Sequence, residues 1–369
     1  MGSVSVYGIS TEGYLLASRM AKGGYQVSLI DERWGICMSL KPELMLKSAA
    51  ELITEDSLLG LKSLEETVSE SDVLFIAPKV KGDDEIEGIG GKVKHLFKYL
   101  KKGSTVVINL PLSYNGNAML VRLVEKMSGL SKDEFTYLYM PLAAGRAEPT
   151  SIGFYGNERG LRPLLKALGL RERARGLNTS ELEHFSWVMS AYRDVLPSVE
   201  LCRRVDRGER KRVSRDEIYL DEMFRYAIDL RLMLRSFRTG DPMLYWANSV
   251  LKSLDGYVKF LVEEVKRAVK ESEWKASKTK VFLAWSLDGY EIRGFGSTVR
   301  EQLAERLRDY LGEVLVMEGG AIPLRDSLAL YPDKHVIVVA CSKADFETVA
   351  KLKRGGAKVL KANTRAELV

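Results

Sequence analysis

The 369-residue chain has three cysteines, three histidines and two glutamines, and no apolar run that could cross a bilayer. Cys37, Cys202 and Cys341 are far apart, odd in number and in no C-x-x-C pair. That excludes a disulfide framework and fits a reducing cytoplasm. His95, His184 and His335 show no metal-ligand spacing, so no metal site is expected. A membrane helix needs about 20 consecutive apolar residues, and none is expected here. The start, Met1-Gly2-Ser3-Val4-Ser5-Val6, reads straight into a strand. A secretory leader or lipid anchor is therefore not expected. Gln26 and Gln302 are the sole glutamines beside abundant Lys, Arg and Glu, a bias that fits a heat-adapted source.

What is present is ordinary for a folded chain. Hydrophobic residues make up 46% and charged residues 29%, enough for two or three domains with cores of their own. The formal net charge of +6 is mild. Much of it lies in residues 203–215, where six of the cations are Arg203, Arg204, Arg207, Arg210, Lys211 and Arg212. No aromatic residue is interleaved there, so the run reads as a solvated helix end or loop and disfavours nucleic-acid binding.

The opening residues carry most of the functional signal. Val4-Ser5-Val6-Tyr7 is an apolar strand, Gly8-Ile9-Ser10-Thr11-Glu12-Gly13 a tight turn into a helix, and Gln26-Val27-Ser28-Leu29-Ile30-Asp31 a second strand ending in an acid. This is the first βαβ unit of a dinucleotide-binding fold. Gly8 permits the turn, Gly13 close helix packing, and the helix N-terminus points N–H groups at a pyrophosphate. Asp31 stands about 20 residues beyond the turn, where a carboxylate meets the adenosine ribose. Ser10 replaces the middle glycine. The expected cofactor contacts are Gly8, Ser10, Gly13 and Asp31. NAD is favoured over NADP, since Asp31 repels a 2′-phosphate, although Arg33 nearby keeps NADP open.

Strands and helices alternate over residues 1–160. Val73-Leu74-Phe75-Ile76-Ala77-Pro78 and residues 105–110 have the continuous apolar character of parallel strands covered on both faces. A helix is also expected over 44–52. The pattern turns helical in the middle, including a long helix over 180–205, and returns to alternation from Lys280. The expected fold is α/β, with an N-terminal Rossmann-type doubly wound sheet (1–160), a central all-α region (175–274) and a smaller C-terminal α/β domain (280–369).

With these residues the chain resembles the UDP-glucose/GDP-mannose dehydrogenase family, the nucleotide-sugar dehydrogenases. The likeness is carried by Ser71 to Pro78, Lys102 to Asn109, Met140-Pro141-Leu142 with Gly145-Arg146-Ala147, and Ala191-Tyr192-Arg193-Asp194-Val195. Arg293, Ser297 and residues 314–318 resemble a shortened UDP-binding domain. General β-hydroxyacid dehydrogenases, which share the first domain but lack a third α/β unit, rank second. The resemblance implies a dinucleotide, a nucleotide sugar and a homodimer built on the central helix, with the stripe Phe185, Val188, Met189, Tyr192, Leu196 and Val199 facing the second copy.

The family's chemistry does not carry over. Its members oxidise a primary alcohol twice and trap the aldehyde on a cysteine thiolate. The matching stretch here, residues 234–241, keeps Asp241 but places Phe237 at the cysteine. Ser186 and Ser190 fall where the family has lysine and asparagine, and Leu142 where it has glutamate. The family's Ser-Thr pair falls on Asn109-Leu110 or Pro111-Leu112. Cys202 reads as a packed small hydrophobe. The expectation is a non-catalytic or altered homologue that binds NAD or a nucleotide sugar. The alternative is an active NAD-dependent dehydrogenase using His184 and Asp241 as an acid–base pair, although His184 also reads as a plain helix-face histidine. A third reading, a structural or nucleic-acid-associated module, would use the basic run.

Overall fold

The computed structural model describes residues 2–33, 35–39, 61–171, 174–214, 216–311, 313–317, 335–351 and 357–369. The helix expected over 44–52 lies outside the described residues. The chain divides into two units, one of Met1–Val188, Arg231–Leu244 and Gly289–Gly294, the other of Met189–Leu230, Tyr245–Asp288 and Phe295–Val369. Residues 1–160 fall in the first unit. Residues 175–274 are shared between the two, and residues 280–369 fall in the second apart from Gly289–Gly294.

The first unit is built on a sheet of nine strands. They are β1 Ser3–Tyr7, β2 Gln26–Ile30, β3 Cys37–Ser39, β4 Leu61–Lys62, β5 Val73–Ile76, β6 Thr105–Ile108, β7 Thr136–Tyr139, β8 Gly153–Gly156 and β9 Arg175–Gly176. Every residue of β5, β6 and β7 is buried, as expected where helices cover both sides of a parallel sheet. The sheet order is β4-β3-β2-β1-β5-β6-β7-β8-β9. The strands β2-β1-β5-β6-β7 are parallel, with Val6 level with Leu29 on one side and Phe75 on the other. The antiparallel β3, β4 and β8 flank them. Chain order reverses at β1, so the crevice above the C-terminal ends of β1 and β5 is the switch point where open α/β sheets take ligands.

Helices of this unit are capped by local chemistry and by a distant carboxylate. Ser63 and Glu66 form a capping box on helix Leu64–Glu70. Helix Gly116–Ser128 starts from Asn115, held at φ 67° with no side-chain cap of its own. Its first donors go instead to Glu181, whose carboxylate accepts from the amides of Asn115 (2.8 Å) and Asn117 (3.0 Å) and from Asn117 Nδ2 (2.7 Å). Burial pushes the Glu181 carboxyl above its ordinary range against those bonds.

The second unit carries a four-stranded parallel sheet in the order β11-β10-β12-β13. Its strands are β10 Thr279–Ala284, β11 Val314–Met317, β12 His335–Ala340 and β13 Lys358–Lys361. Phe282, Val336, Val338, Val349 and Val359 form its apolar centre. The chain thus has the expected α/β class, a doubly wound first sheet, helices between and a second, smaller α/β sheet.

Two expectations for the middle change. The helix expected over 180–205 is broken at Arg193-Asp194 into Leu177–Tyr192 and Val195–Arg204. The stripe meant for a second copy is also largely covered within the chain. Phe185, Val188 and Val199 are 0% exposed and Tyr192 2%, and Tyr192 donates its hydroxyl to Met223 O at 2.9 Å. A continuous amphipathic pattern specifies a buried face but not what buries it.

The basic run is an ion-pair surface. Arg203 and Arg204 pair with Glu200, Arg212 with Glu209, Lys211 with Glu367, and Arg207 with Glu264 and Glu271. At its centre Arg210, 2% exposed, bonds fully buried Glu264 at 2.9 Å and lies 4.8 Å over the Phe260 ring. Burial alone would raise the Glu264 carboxyl, but Arg210 and Arg207 outweigh it and hold it below its ordinary 4.5. Its contribution to stability is therefore complete above about pH 4.5 and is lost as pH falls through the lower folded value. Removing one partner of a buried pair leaves a bare buried charge, at a cost of about 3–5 kcal/mol. Glu264→Gln should lower unfolding stability by that amount in urea titrations at neutral pH, and the gap to wild type should close as the pH drops. A loss under about 1 kcal/mol, the value of an exposed pair, would contradict this reading.

Candidate functional site

The turn after β1 is shaped by close approach. Gly8 sits at φ +104°, and a Cβ there would lie 2.3 Å from Pro78 Cα at the end of β5. Only glycine meets both demands. Gly13 is nearly as constrained, its would-be Cβ 2.9 Å from Ser10 Oγ and 3.3 Å from Ala77 Cβ. Ser10, at the middle position, is fully buried. Its hydroxyl donates to Ala77 O (2.6 Å) and accepts from Gly13 N (3.0 Å), so it caps helix Thr11–Lys22 and pins the turn to β5. The serine is a structural replacement for the glycine.

The amides of Ile9 and Thr11, on the turn expected to face a pyrophosphate, have partners within the chain. Ile9 N donates to Glu32 Oε2 at 2.8 Å. Thr11 N donates to Tyr290 O at 2.8 Å. Glu12, 0% exposed, accepts from Gly145 N (2.9 Å) and Ile292 N (2.8 Å). Asp31 Oδ1 accepts from Arg33 N at 2.7 Å. The Tyr7 phenol is pushed up by burial, then by Glu32 and Asp31, as expected with both carboxylates close to it.

Segment Gly289–Gly294 lies along the same edge as a strap. Val80 N donates to Ile292 O and Gly294 N to Val80 O, both at 2.8 Å. Arg293, 3% exposed, donates from its guanidinium to Leu142 O at 2.8 Å. Lys79 Nζ bonds the Gly289 carbonyl. A dinucleotide presents its pyrophosphate to the turn's amides and the helix N-terminus. Here the amides of Ile9, Thr11 and Gly13 are bonded to the chain, and a buried carboxylate stands in the first helical turn. As they stand, these residues do not fit a pyrophosphate.

Beyond β6 and β7 the residues are apolar or internally bonded. Leu110, Leu112 and Leu142 are buried. Asn109, also buried, donates Nδ2 to Met140 O at 3.0 Å, while its Oδ1 has no protein partner. Phe237 packs edge-on against Phe185 (centroids 5.8 Å) and parallel to Tyr114 (6.3 Å). Next to it, Ser236 Oγ accepts from Tyr114 N at 2.8 Å. Ser186 and Ser190 are exposed on their helix.

His184 and Asp241 are not bonded to each other. His184 is fully buried, with Nδ1 2.7 Å from Thr150 Oγ1. Asp241 Oδ1 accepts from Met243 N at 2.8 Å and caps the start of helix Pro242–Glu271.

None of the three thiols is activated. Burial pushes Cys202 up to about 12 and raises Cys37 and Cys341 too. All three are buried and unpaired in disulfides. No cluster of metal-ligating side chains occurs among the described residues, and no described helix is long and apolar enough to cross a membrane.

Reasoning from the sequence named Gly8, Ser10, Gly13 and Asp31 as cofactor contacts and did not single out Glu12, Glu32, Glu181 or the strap. An acid in a first helical turn is favoured by the helix dipole anyway, so Glu12 gave no distinctive signal. Its partners Gly145 and Ile292 are remote in the chain.

No family model and no curated protein sequence matches the chain. Solved structures do. UDP-D-ManNAc dehydrogenase from Pyrococcus horikoshii is similar at TM-score 0.64 and 16% identity, over 99% of this chain and 96% of that one. A UDP-glucose dehydrogenase from Pyrobaculum islandicum gives TM-score 0.67 and 17% identity, over 98% and 94%. NDP-N-acetyl-D-galactosaminuronic acid dehydrogenase from Methanosarcina mazei Go1 gives 0.53 and 13%, over 100% and 92%. Over nearly its whole length, this chain has the nucleotide-sugar dehydrogenase fold.

Proposed function

We propose that this protein is a non-catalytic homologue of the nucleotide-sugar dehydrogenases, acting as a regulatory or partner protein in the cytoplasm. One observation carries the reading: every thiol in the chain is buried and raised in pKa. Oxidising a primary alcohol to a carboxylate through a thiohemiacetal needs an accessible thiolate. Phe237, at the position matched to the family's cysteine, is held between aromatic rings instead. Leu142 and Ser186 supply neither the acid–base group nor the oxyanion cation. Its ligands are a nucleotide sugar and, when the β1 turn is open, a dinucleotide. NAD is preferred to NADP, because Asp31 and Glu32 at the end of β2 repel a 2′-phosphate. Of the stripe that motivated a homodimer, Phe185, Val188, Tyr192 and Val199 are buried within the chain, and Met189 and Leu196 are half-buried.

Incubated with NAD and UDP-glucose, UDP-N-acetylmannosamine or GDP-mannose, the protein should form no NADH. Phe237→Cys should not restore turnover, because the other groups stay absent. Steady formation of two NADH per sugar consumed would overturn the proposal. The thiols give an independent check. In the folded protein at pH 8 none should react rapidly with a disulfide reagent, and all three should react at once in denaturant. A fast-reacting thiol in the native state would identify a nucleophile that this account denies.

A further inference from the structure

The β1 turn holds a ligand supplied by the chain itself. We infer that the strap Gly289–Gly294, with Glu12 and Glu32, stands where a dinucleotide pyrophosphate would, so that dinucleotide and strap exclude each other at this turn.

A helix N-terminus that is removed from water needs acceptors for its free N–H groups. Dinucleotide-binding turns leave those groups for phosphate oxygens. In this chain the Tyr290 carbonyl takes the Thr11 amide, and the Glu32 carboxylate takes the Ile9 amide. Glu12 adds a second carboxylate one residue further on, fully buried and bonded to the strap through Ile292 N. The strap is more than a passing contact. It makes a two-way backbone pairing with Val80, just beyond β5, and is tied by Arg293 to Leu142 O. Its bonds therefore span the switch-point edge from helix Thr11–Lys22 to the end of β7. A pyrophosphate entering here would lose the Ile9 and Thr11 amides to competing acceptors and meet two carboxylates of its own sign. Once the strap leaves, Thr11 N is released and the Glu12 carboxylate loses one of its two backbone donors.

This inference concerns binding, so it stands apart from the proposed lack of turnover and is read without any sugar. The full-length protein is titrated with NAD by calorimetry, and amide hydrogen exchange is followed at Thr11, Ile292 and Gly294. In the wild type these amides should be protected, and NAD should bind no tighter than about 1 mM. Any NAD binding that is seen should come with loss of protection at Ile292 and Gly294. In the double variant Glu12→Gln, Glu32→Gln, NAD affinity should rise at least tenfold and strap protection should fall. Tight NAD binding with the strap amides still protected would overturn the inference. So would unprotected Ile292 and Gly294 amides in the wild type without ligand, a measurement that stands even if the variant does not fold. A folded double variant with no gain in affinity would also overturn it.

Discussion

The turn after β1 must find acceptors for backbone donors that have been taken out of water. That demand organises the whole first unit. Gly8 brings the turn within contact of Pro78, closer than any side chain would allow. Ser10 then fastens it to Ala77. With the turn pressed onto the end of β5, Ile9 and Thr11 are half-buried, and an unmet buried donor costs on the order of 1–3 kcal/mol. In a dinucleotide-binding protein the cofactor answers the demand. Here Glu32 and the strap answer it for the amides of Ile9 and Thr11.

The far end of the crevice follows the same logic. Positions that would hold charged chemistry are occupied by groups that pack or bond internally. Leu142 supplies only backbone, its amide to Asn109 and its carbonyl to Arg293. Phe237 sits in an aromatic group with Tyr114 and Phe185. His184 and Glu181, two buried titratable groups on helix Leu177–Tyr192, meet Thr150 and the start of helix Gly116–Ser128. Buried polar groups of this kind specify one arrangement of elements when every bond is made. The fold has kept its polar interior but given it to structure.

Much of this was legible in the sequence, for physical reasons that differ by element. β1, β2, β5, β6 and β7 could be read because a strand covered on both faces has to be apolar throughout. Gly8 and Gly13 could be read because backbone conformation and close approach leave no other residue. The α/β class and the second sheet followed from the return of alternation after Lys280. The break at Arg193-Asp194 could not be read, since the apolar periodicity runs through it unaltered. The same periodicity marks the stripe from Phe185 to Val199, of which the chain itself buries Phe185, Val188, Tyr192 and Val199. Glu12, Glu32 and Glu181 were hidden because a carboxylate's task depends on its partner. Those partners, among them Ile292 and Asn117, lie far off in sequence and contribute backbone amides, which carry no residue signature.

The central claim is that the chain supplies its own acceptors at the β1 turn and that a dinucleotide cannot share them. A crystal structure of the full-length protein grown with millimolar NAD tests it most directly. The account predicts the Thr11 amide on the Tyr290 carbonyl, Ile292 N on Glu12, and no pyrophosphate at the turn. A pyrophosphate bonded to the Thr11 amide while the strap keeps its bonds to Glu12 and Val80 would contradict it.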